Sequence, residues 1–293
     1  MDVFLQQVTN GLVLGGAYVL VTLGLFMVFT TLHLPNFAHG EMFALGAYLQ
    51  YAFVVTLGIP FWIAMVLSVV VVGLIGWGLE LAMFRRLQNA SILAVLVGSL
   101  ALAMILQELI ALQWGQDPLA VPLPFSGVTE IGPVRIANYR LLIIGVVVAV
   151  SVLLGWLVYR ARFGRSLRAL AQNREMAQLS GLNVKQIGTI TFVLGAAVAG
   201  LAGALLAPTT NLNPHMGFHP TLVAFVILVV AGGGGRMATI VIGGFTVAIL
   251  ETLAAGYIDN MARSMVVFVA LVAFLALRPE GAFRVASAEK VQL

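Results

Sequence analysis

Two short polar stretches interrupt this otherwise apolar sequence and carry most of the side chains that could do chemistry. The first, Leu34–Gly40, reads LPNFAHG and leads into Glu41; the second, Pro208–Pro220, reads PTTNLNPHMGFHP. Interrupted helices in both halves of an apolar chain are the best sequence indication of a transport pathway. The simpler alternative is a pair of connecting loops in which proline and asparagine cap the adjacent helices. We predict a pathway lined by Asn36, His39, Glu41, Asn211, Asn213 and, from a third region, Glu251.

Four carboxylates lie inside apolar stretches, and their positions decide what they could do. A charge at the centre of a bilayer costs about 2.5–3.5 kcal/mol even on the most lenient scale. All four lie within one or two helical turns of a predicted interface, where a local partner is within reach. We expect Glu80 and Glu108 to be held by such partners, and Glu41 and Glu251 to be candidates for a polar path.

The sequence lacks the common catalytic patterns. It contains no cysteine, no HExxH pair, no Ser/His/Asp set and no GxxxxGK[ST] loop; Gly232–Thr239 reads GGGGRMAT and has no lysine in the required place. We therefore expect a chain that is not an enzyme, holds no metal or cofactor, and does not bind ATP itself.

The composition places these residues in a membrane protein. Of 293 residues, 61% are hydrophobic and 9% charged, with a mean hydropathy of +1.06, whereas a soluble domain is about 45–50% apolar and about 25% charged. Continuous apolar runs exclude the alternating pattern of a β-barrel. The sequence predicts an all-α polytopic membrane protein with broken or re-entrant segments. Its nine candidate helices span residues 8–32, 37–57, 60–84, 91–114, 139–159, 188–207, 221–235, 237–257 and 262–277. The short segment 221–235 favours a half-helix, which would leave eight crossings.

The basic residues predict the orientation. Six of them lie between Arg160 and Ile187, whereas only Arg135 lies between Gly115 and Asn138. Because cytoplasmic loops collect Lys and Arg, we expect loop 160–187 inside, the amino terminus outside and the carboxyl terminus in the cytoplasm.

The loop 160–187 predicts a short amphipathic helix at the membrane surface. We expect this helix to run from Ser166, as its cap, to about Ser180, with Gly181 as its left-handed terminator. It could lie on anionic lipid headgroups or be held by a cytoplasmic partner, and periodicity does not separate the two.

Small residues recur every four positions on two of the predicted helices. One series is Gly195, Ala199, Gly203 and Ala207; the other is Gly244, Ala248, Thr252 and Gly256. Gly11 and Gly15 form a similar pair. Such spacing predicts close helix–helix packing within lipid.

Five motifs resemble, in order and spacing, the permease subunits of branched-chain amino acid ABC importers. They extend over essentially the whole chain and read NFAHGE with LGAY (36–41 and 45–48), FGRSLRALAQNREMAQLSGLNV (163–184), TFVLGAAVAGLAG (191–203), NPHMGF (213–218) and RPEGAF (278–283).

The resemblance implies a single permease domain, residues 1–293, that pairs with a paralogous permease in a bacterial inner membrane. It also implies two cytoplasmic ATPase subunits, which bind ATP and Mg²⁺, and a periplasmic substrate-binding protein. Within the loop 160–187, helix 166–180 would be the coupling helix that the ATPases move. Its coupling residues would be Arg165, Arg168, Ala169, Asn173, Ala177 and Gly181.

Two other functions are weighed beside this one. A stand-alone carrier or channel would use Glu41, His39 or Glu251 as proton sites, and a membrane scaffold would transport nothing. The family motifs do not fix the substrate, because relatives carry branched-chain amino acids, urea, short amides or aromatic acids.

Overall fold

The apolar stretches fold into helices, because in lipid each backbone N–H and C=O must find its partner within the protein. The computed structural model describes residues 2–32, 35–87, 90–131, 134–231, 237–259 and 262–277. Twelve helices lie in these ranges: α1 Asp2–Leu32, α2 His39–Tyr51, α3 Phe61–Leu79, α4 Arg85–Leu87, α5 Ile92–Trp114, α6 Asn138–Tyr159, α7 Arg162–Gln172, α8 Arg174–Leu179, α9 Val184–Leu206, α10 Phe218–Val230, α11 Met237–Tyr257 and α12 Ala262–Leu277. The π-helical turns Ala52–Thr56 and Glu80–Phe84 extend α2 and α3.

Six helical spans within the described residues are long and apolar enough to cross a membrane. They are 3–31, 61–87, 92–114, 138–159, 184–209 and 237–257, and all six were predicted. The other three predicted segments, 37–57, 221–235 and 262–277, are shorter helices. The all-α polytopic class is therefore confirmed, while the number of crossings stays a prediction.

The structure corrects the bounds of two predicted segments. Segment 221–235 is α10, which begins at Phe218 and ends at Val230; Gly232–Arg236 lies outside the described residues. Segment 37–57 is α2 continued by the π-helical turn Ala52–Thr56, and its helix begins at His39 inside the bundle. The short antiparallel hairpin β1 Val128–Ile131 and β2 Val134–Ala137, just before α6, was not predicted.

The two ends of the bundle are named here by their loops. The hairpin end carries β1 and β2, and Arg140 in the first turn of α6 donates a hydrogen bond to Asn10 of α1 over 2.5 Å. The basic end carries loop 160–187, and Arg85 lies there beside Thr189 of α9 at 2.9 Å. The start of α1 and the hairpin thus share one end of the bundle.

Helix α9 approaches its neighbours at backbone distance through the predicted small residues. A Cβ atom on Gly195 would lie 2.8 Å from the Gly24 carbonyl oxygen of α1. One on Gly203 would collide with the Phe43 carbonyl of α2, and one on Gly200 would lie 2.8 Å from Val72 of α3. The small-residue series on α9 therefore packs as predicted.

Helices α1 and α11 form a second close contact along the other series. A Cβ atom on Gly244 would lie 2.6 Å from Val19 Cγ2, and one on Gly15 would lie 3.2 Å from Ala248 Cβ. Further along, a Cβ on Gly11 would lie 2.7 Å from the hydroxyl of Thr252. The contact runs most of the length of α11 and confirms the predicted packing of the two helices.

The variant Gly203→Ala tests the contact between α9 and α2. Its Cβ would meet the Phe43 backbone, which cannot rotate away, so we expect overpacking to lower the stability by about 1–3 kcal/mol. The control Gly145→Ala adds a Cβ that meets no heavy atom of the described residues within 4 Å. Thermal unfolding midpoints in detergent compare the two, and equal midpoints would show that the helices have room to separate.

Candidate functional site

Two half-length helices, α2 and α10, begin side by side in the middle of the bundle. His39, the first residue of α2, lies beside Gly24 of α1, which in turn packs against Gly195 at the midpoint of α9. The backbones of Gly40 and Gly217 touch, so that a Cβ on Gly217 would lie 2.5 Å from the Gly40 carbonyl oxygen. From this point α2 runs toward the hairpin end and α10 toward the basic end. The predicted interruptions of both halves are therefore real and meet in space.

Glu41 lies fully buried where these two helices begin. Its Oε1 accepts a hydrogen bond from Gln107 Nε2 of α5 at 2.8 Å. Its Oε2 has no hydrogen-bond partner among the described residues and lies 2.9 Å from the position of a Cβ on Gly217. Helix N-termini carry partial positive charge, so the starts of α2 and α10 both favour the carboxylate here. Glu41 is buried within the bundle beside Gly217, and its distance from a membrane interface stays a prediction.

Asn36 and His39 lie in the turn that leads into α2 and are absent from the linings of the two cavities described below. The side chain of Asn36 accepts a hydrogen bond from Ala38 N at 3.0 Å, which stabilises the turn before α2. The imidazole of His39 is buried, and its Nε2 has no hydrogen-bond partner among the described residues. Both side chains fit the alternative interpretation of helix capping and packing as well as the pathway interpretation.

Glu251 of α11 lies at a meeting point of four helices. Its Oε1 accepts a hydrogen bond from the Tyr18 hydroxyl of α1 at 3.2 Å. Two cationic or potentially cationic groups approach the same oxygen: His219 Nε2 of α10 at 3.6 Å and Arg263 Nε of α12 at 3.8 Å. Glu251 lies six residues, or less than two helical turns, before α11 ends at Tyr257, and its distance from a membrane interface stays a prediction.

Glu251, Asn211 and Asn213 line one cavity of about 310 Å³. Its polar wall also contains Tyr18, His219 and Arg263, and its apolar wall contains Leu14, Phe43, Leu206 and Met216. The cavity is thus partly apolar and has opposite charges on one side. Three of the six predicted pathway residues line this cavity. Glu41 is linked to it only through other residues: Gln107, which binds Glu41, has its Oε1 3.2 Å from His215 Nδ1, and the His215 backbone N donates to the Asn213 side chain.

A second cavity of about 250 Å³ adjoins the first toward the hairpin end. The two share Leu14, Leu206, Thr210 and Arg263. Five further polar or charged residues line it: Gln7, Asn10, Thr209, Thr252 and Arg140. The two adjacent cavities thus carry polar side chains from the hairpin end to Glu251, among apolar walls.

Tyr18, Gln107, His219 and Arg263 belong to this region and were not singled out in the sequence. Tyr18 and Gln107 are polar residues within long, mostly apolar helices, and only the fold shows that they contact Glu251 and Glu41. Arg263 offered the clearest signal, since it is a lone cation at the start of an apolar segment, where a buried acid is its natural partner.

The expected local partners are found for Glu80. Arg85 donates to Glu80 over 3.1 Å, and Thr189 donates to the same carboxylate over 3.1 Å, so Glu80 has local partners. Glu108 is exposed on α5.

The loop at the basic end folds differently from the predicted single helix. Helix α7 begins at Arg162, before Ser166, whose hydroxyl donates to the Arg162 carbonyl instead of capping a helix. Asn173 is extended and its side chain accepts a hydrogen bond from Met176 N at 2.9 Å, so it ends α7 and caps α8. Gly181 has φ +81°, which confirms the left-handed turn after α8.

The residues predicted for coupling divide into anchored and exposed ones. Arg168 donates to the Val158 carbonyl at the end of α6 and lies over the Tyr159 ring at 5.9 Å. Ala177 is buried and Ala169 half-buried, whereas Arg165, Asn173 and Gly181 are exposed. Met176 and Leu179 of α8 are apolar and 59% and 82% exposed; they were not predicted as contact residues.

Long apolar helices, two interrupted half-helices and a polar interior route define a multi-pass membrane protein of the permease class. The family model described as the permease component of branched-chain amino acid transport systems matches residues 7–277. The chain belongs to this family, and the resemblance inferred from its motifs is confirmed.

Individual relatives agree with the family model. Over 98% of both chains, the sequence is 31% identical to the high-affinity branched-chain amino acid transport system permease protein LivH of Escherichia coli (strain K12). It is 30% identical, with the same coverage, to the corresponding permease protein BraD of Pseudomonas aeruginosa. A stretch covering 35% of this chain is 33% identical to the D-allose transport system permease protein AlsC of Escherichia coli (strain K12), over 33% of that relative. No solved structure matches the chain.

The variant Gln107→Leu tests the hydrogen bond that holds Glu41. Removing the amide leaves a fully buried carboxylate without this partner, and an unsatisfied buried group costs about 1–3 kcal/mol. We expect a lower unfolding midpoint in detergent than for Gln113→Leu, which makes the same change at an exposed position of α5. If both variants have the same unfolding midpoint as the parent protein, the hydrogen bond between Gln107 and Glu41 contributes nothing to stability.

Proposed function

We propose that this chain is one permease subunit of an ATP-driven importer for branched-chain or related amino acids in the inner membrane. The observation that carries the proposal is similarity over nearly the full length to permease proteins of branched-chain amino acid transport systems. The sequence has no phosphate-binding GxxxxGK[ST] loop, so the partner subunits supply ATP hydrolysis. The partners are a paralogous permease, two cytoplasmic ATPase subunits and a periplasmic substrate-binding protein. The chain itself is not an enzyme and needs no cofactor.

The route through the subunit follows the two cavities. Asn211, Asn213 and Glu251 contact the substrate there, while Asn36, His39 and Glu41 shape the broken helix that forms the wall behind them. The support for this division is that the first three residues line the cavity and the second three are buried in the packing around Gly40 and Gly217.

The loop at the basic end receives the ATPases. Arg168 fastens α7 to the end of α6, and Leu170 and Ala177 pack against Val184 and Ile187 of α9. This buried face leaves Met176 and Leu179 exposed. We assign these two side chains as the apolar contacts of the coupling loop, together with the exposed Arg165 of α7.

A stand-alone carrier is the second candidate, and one observation favours it. Glu41 and Glu251 are buried within the bundle instead of at its ends, and interior carboxylates of membrane proteins often serve proton relays. Such a carrier would work without ATPase subunits.

Extraction of the native complex in mild detergent, followed by mass spectrometry, separates the two candidates. We expect a second permease and two ATPase subunits to be recovered in stoichiometric amounts. Recovery of the chain alone, active in proteoliposomes without ATP, would establish the carrier and overturn the importer.

The same extraction tests the coupling contacts through Leu179→Ser. Losing this apolar contact should reduce ATPase recovery by about tenfold, since burying a leucine contributes about 1.5–3 kcal/mol. Leu123→Ser, the same change at an exposed leucine near the hairpin end, should retain the ATPases. Equal recovery from both variants would remove Leu179 from the interface.

The absence of cysteine allows the orientation to be tested by labelling. We expect Leu123→Cys to react with a membrane-impermeant maleimide in spheroplasts and Leu179→Cys to react only after permeabilisation, because basic loops stay in the cytoplasm. The reverse pattern would place the basic end outside.

A further inference from the structure

Glu251 and Arg263 form an ion pair that is incomplete on both sides. Arg263 Nε lies 3.8 Å from Glu251 Oε1, which is longer than a hydrogen bond. Within the described residues neither Arg263 Nε nor Glu251 Oε2 has a hydrogen-bond partner. Both residues line the 310 Å³ cavity. Buried charges normally complete their hydrogen bonds, so this pair has capacity for a ligand that offers both a donor and an acceptor.

The two partners differ in how firmly they are held. The Glu251 side chain is fully buried and fixed by the Tyr18 hydroxyl at 3.2 Å. The Arg263 side chain is 42% exposed and sits where the two cavities join, since it lines both. Arg263 can therefore move away from Glu251 without losing a hydrogen bond between them, and a ligand can enter the space that this opens.

Other positive groups near this cavity are already engaged. His219 lies 3.6 Å from Glu251 Oε1 and 3.2 Å from the Tyr18 hydroxyl. The N-termini of α2 and α10, which could have received a ligand carboxylate, face Glu41 of the chain itself. Arg140 is hydrogen-bonded to Asn10 in the outer cavity. A carboxylate that reaches the inner cavity therefore meets Arg263 first.

The rest of the lining suits an aliphatic side chain. Leu14, Leu206 and Met216 form an apolar wall opposite the charged groups. The volume lies at the low end of the range for small-molecule sites, about 300–1,000 Å³. A neutral urea or amide would leave the two charges uncompensated, whereas a free α-amino acid compensates both.

We propose that this cavity is a zwitterion site, in which Glu251 binds the ammonium and Arg263 the carboxylate of an aliphatic α-amino acid in transit. The inference rests on the proposed function and adds to it a substrate subsite within a single permease subunit. Tyr18 positions the Glu251 carboxylate, and the ligand replaces the direct contact between Glu251 and Arg263.

Binding to the whole importer without its binding protein tests the site. Radiolabelled L-leucine is bound to the complex in nanodiscs and competed with 4-methylpentanoate, which lacks the ammonium, and with 3-methylbutylamine, which lacks the carboxylate. For the parent complex we expect leucine to bind more tightly than either analogue.

Single-charge variants then give a crossed pattern. Glu251→Gln should weaken the binding of leucine by about tenfold or more, as expected for a lost charge-assisted contact. It should leave the binding of 4-methylpentanoate unchanged. Arg263→Gln should weaken leucine and leave 3-methylbutylamine unchanged. The control Glu80→Gln removes another fully buried carboxylate, which pairs with Arg85 at the basic end, and should change no ligand. If one of these variants fails to assemble, Glu251→Asp and Arg263→Lys replace it, because they keep the charge and change only the length or shape of the side chain. Each should weaken the binding of the same ligands as the corresponding Gln variant, by a smaller factor.

The possible results separate this site from the proposed function. If both variants lose the binding of all three ligands alike, or if neither variant changes any binding, the zwitterion site is overturned and the ion pair is only structural. Absence of leucine binding in a parent complex that imports leucine also overturns it. A parent complex that imports no amino acid overturns the proposed function instead.

Discussion

The constraint on which the structure depends is that irregular backbone survives inside a membrane only where protein encloses it. Two segments of this chain, around Gly40 and around Gly217, leave helical geometry in the middle of the bundle. They can do so because Gly24, Gly195 and Gly203 let α1, α2 and α9 approach at backbone distance, which leaves no lipid beside the turns. Bulkier residues would hold these helices apart and expose the unpaired ends of α2 and α10. The glycine contacts therefore come first, and the polar interior follows from them.

The two interior carboxylates show two different solutions to burying a charge. Glu41 is held by fixed groups, namely Gln107 and the N-termini of two helices, so its environment is set by the fold itself. Glu251 is held by the Tyr18 hydroxyl and by the two side chains His219 and Arg263, which are each more than one third exposed. Fixed dipoles stabilise a charge without rearrangement, whereas exposed charged side chains can leave one partner and bind another ion instead. Glu41 is thus suited to architecture and Glu251 to transient binding.

The sequence predicted what depends on local pattern and missed what depends on depth and pairing. Hydropathy located the long apolar helices, and four-residue spacing found the contacts of Gly195 and Gly244, because both signals repeat along one helix. The position of His39 in the bundle centre was missed, since nothing local shows that the chain turns back after α1. The break at Asn173 was missed because its neighbours continue the amphipathic pattern through it. The partnership of Tyr18 with Glu251 joins residues far apart in the chain, so only the fold could show it.

The contacts between helices also indicate how motion at the basic end could reach the cavity. Leu167 of α7 belongs to the same buried cluster as the core residues of α1. Along α1, a Cβ atom on Gly11 would lie 2.8 Å from Ile249 Cα of α11, and one on Gly15 would lie 3.1 Å from Phe245 Cα, so the two helix backbones lie close together there. A tilt of α1 would therefore carry α11 with it and keep Tyr18 beside Glu251. Arg263 and His219 stand on other helices, α12 and α10, and are joined to Glu251 only through side chains. The distances from Glu251 to these two groups are consequently the ones that such a tilt would change, which places the adjustable part of the site on its exposed, cationic side.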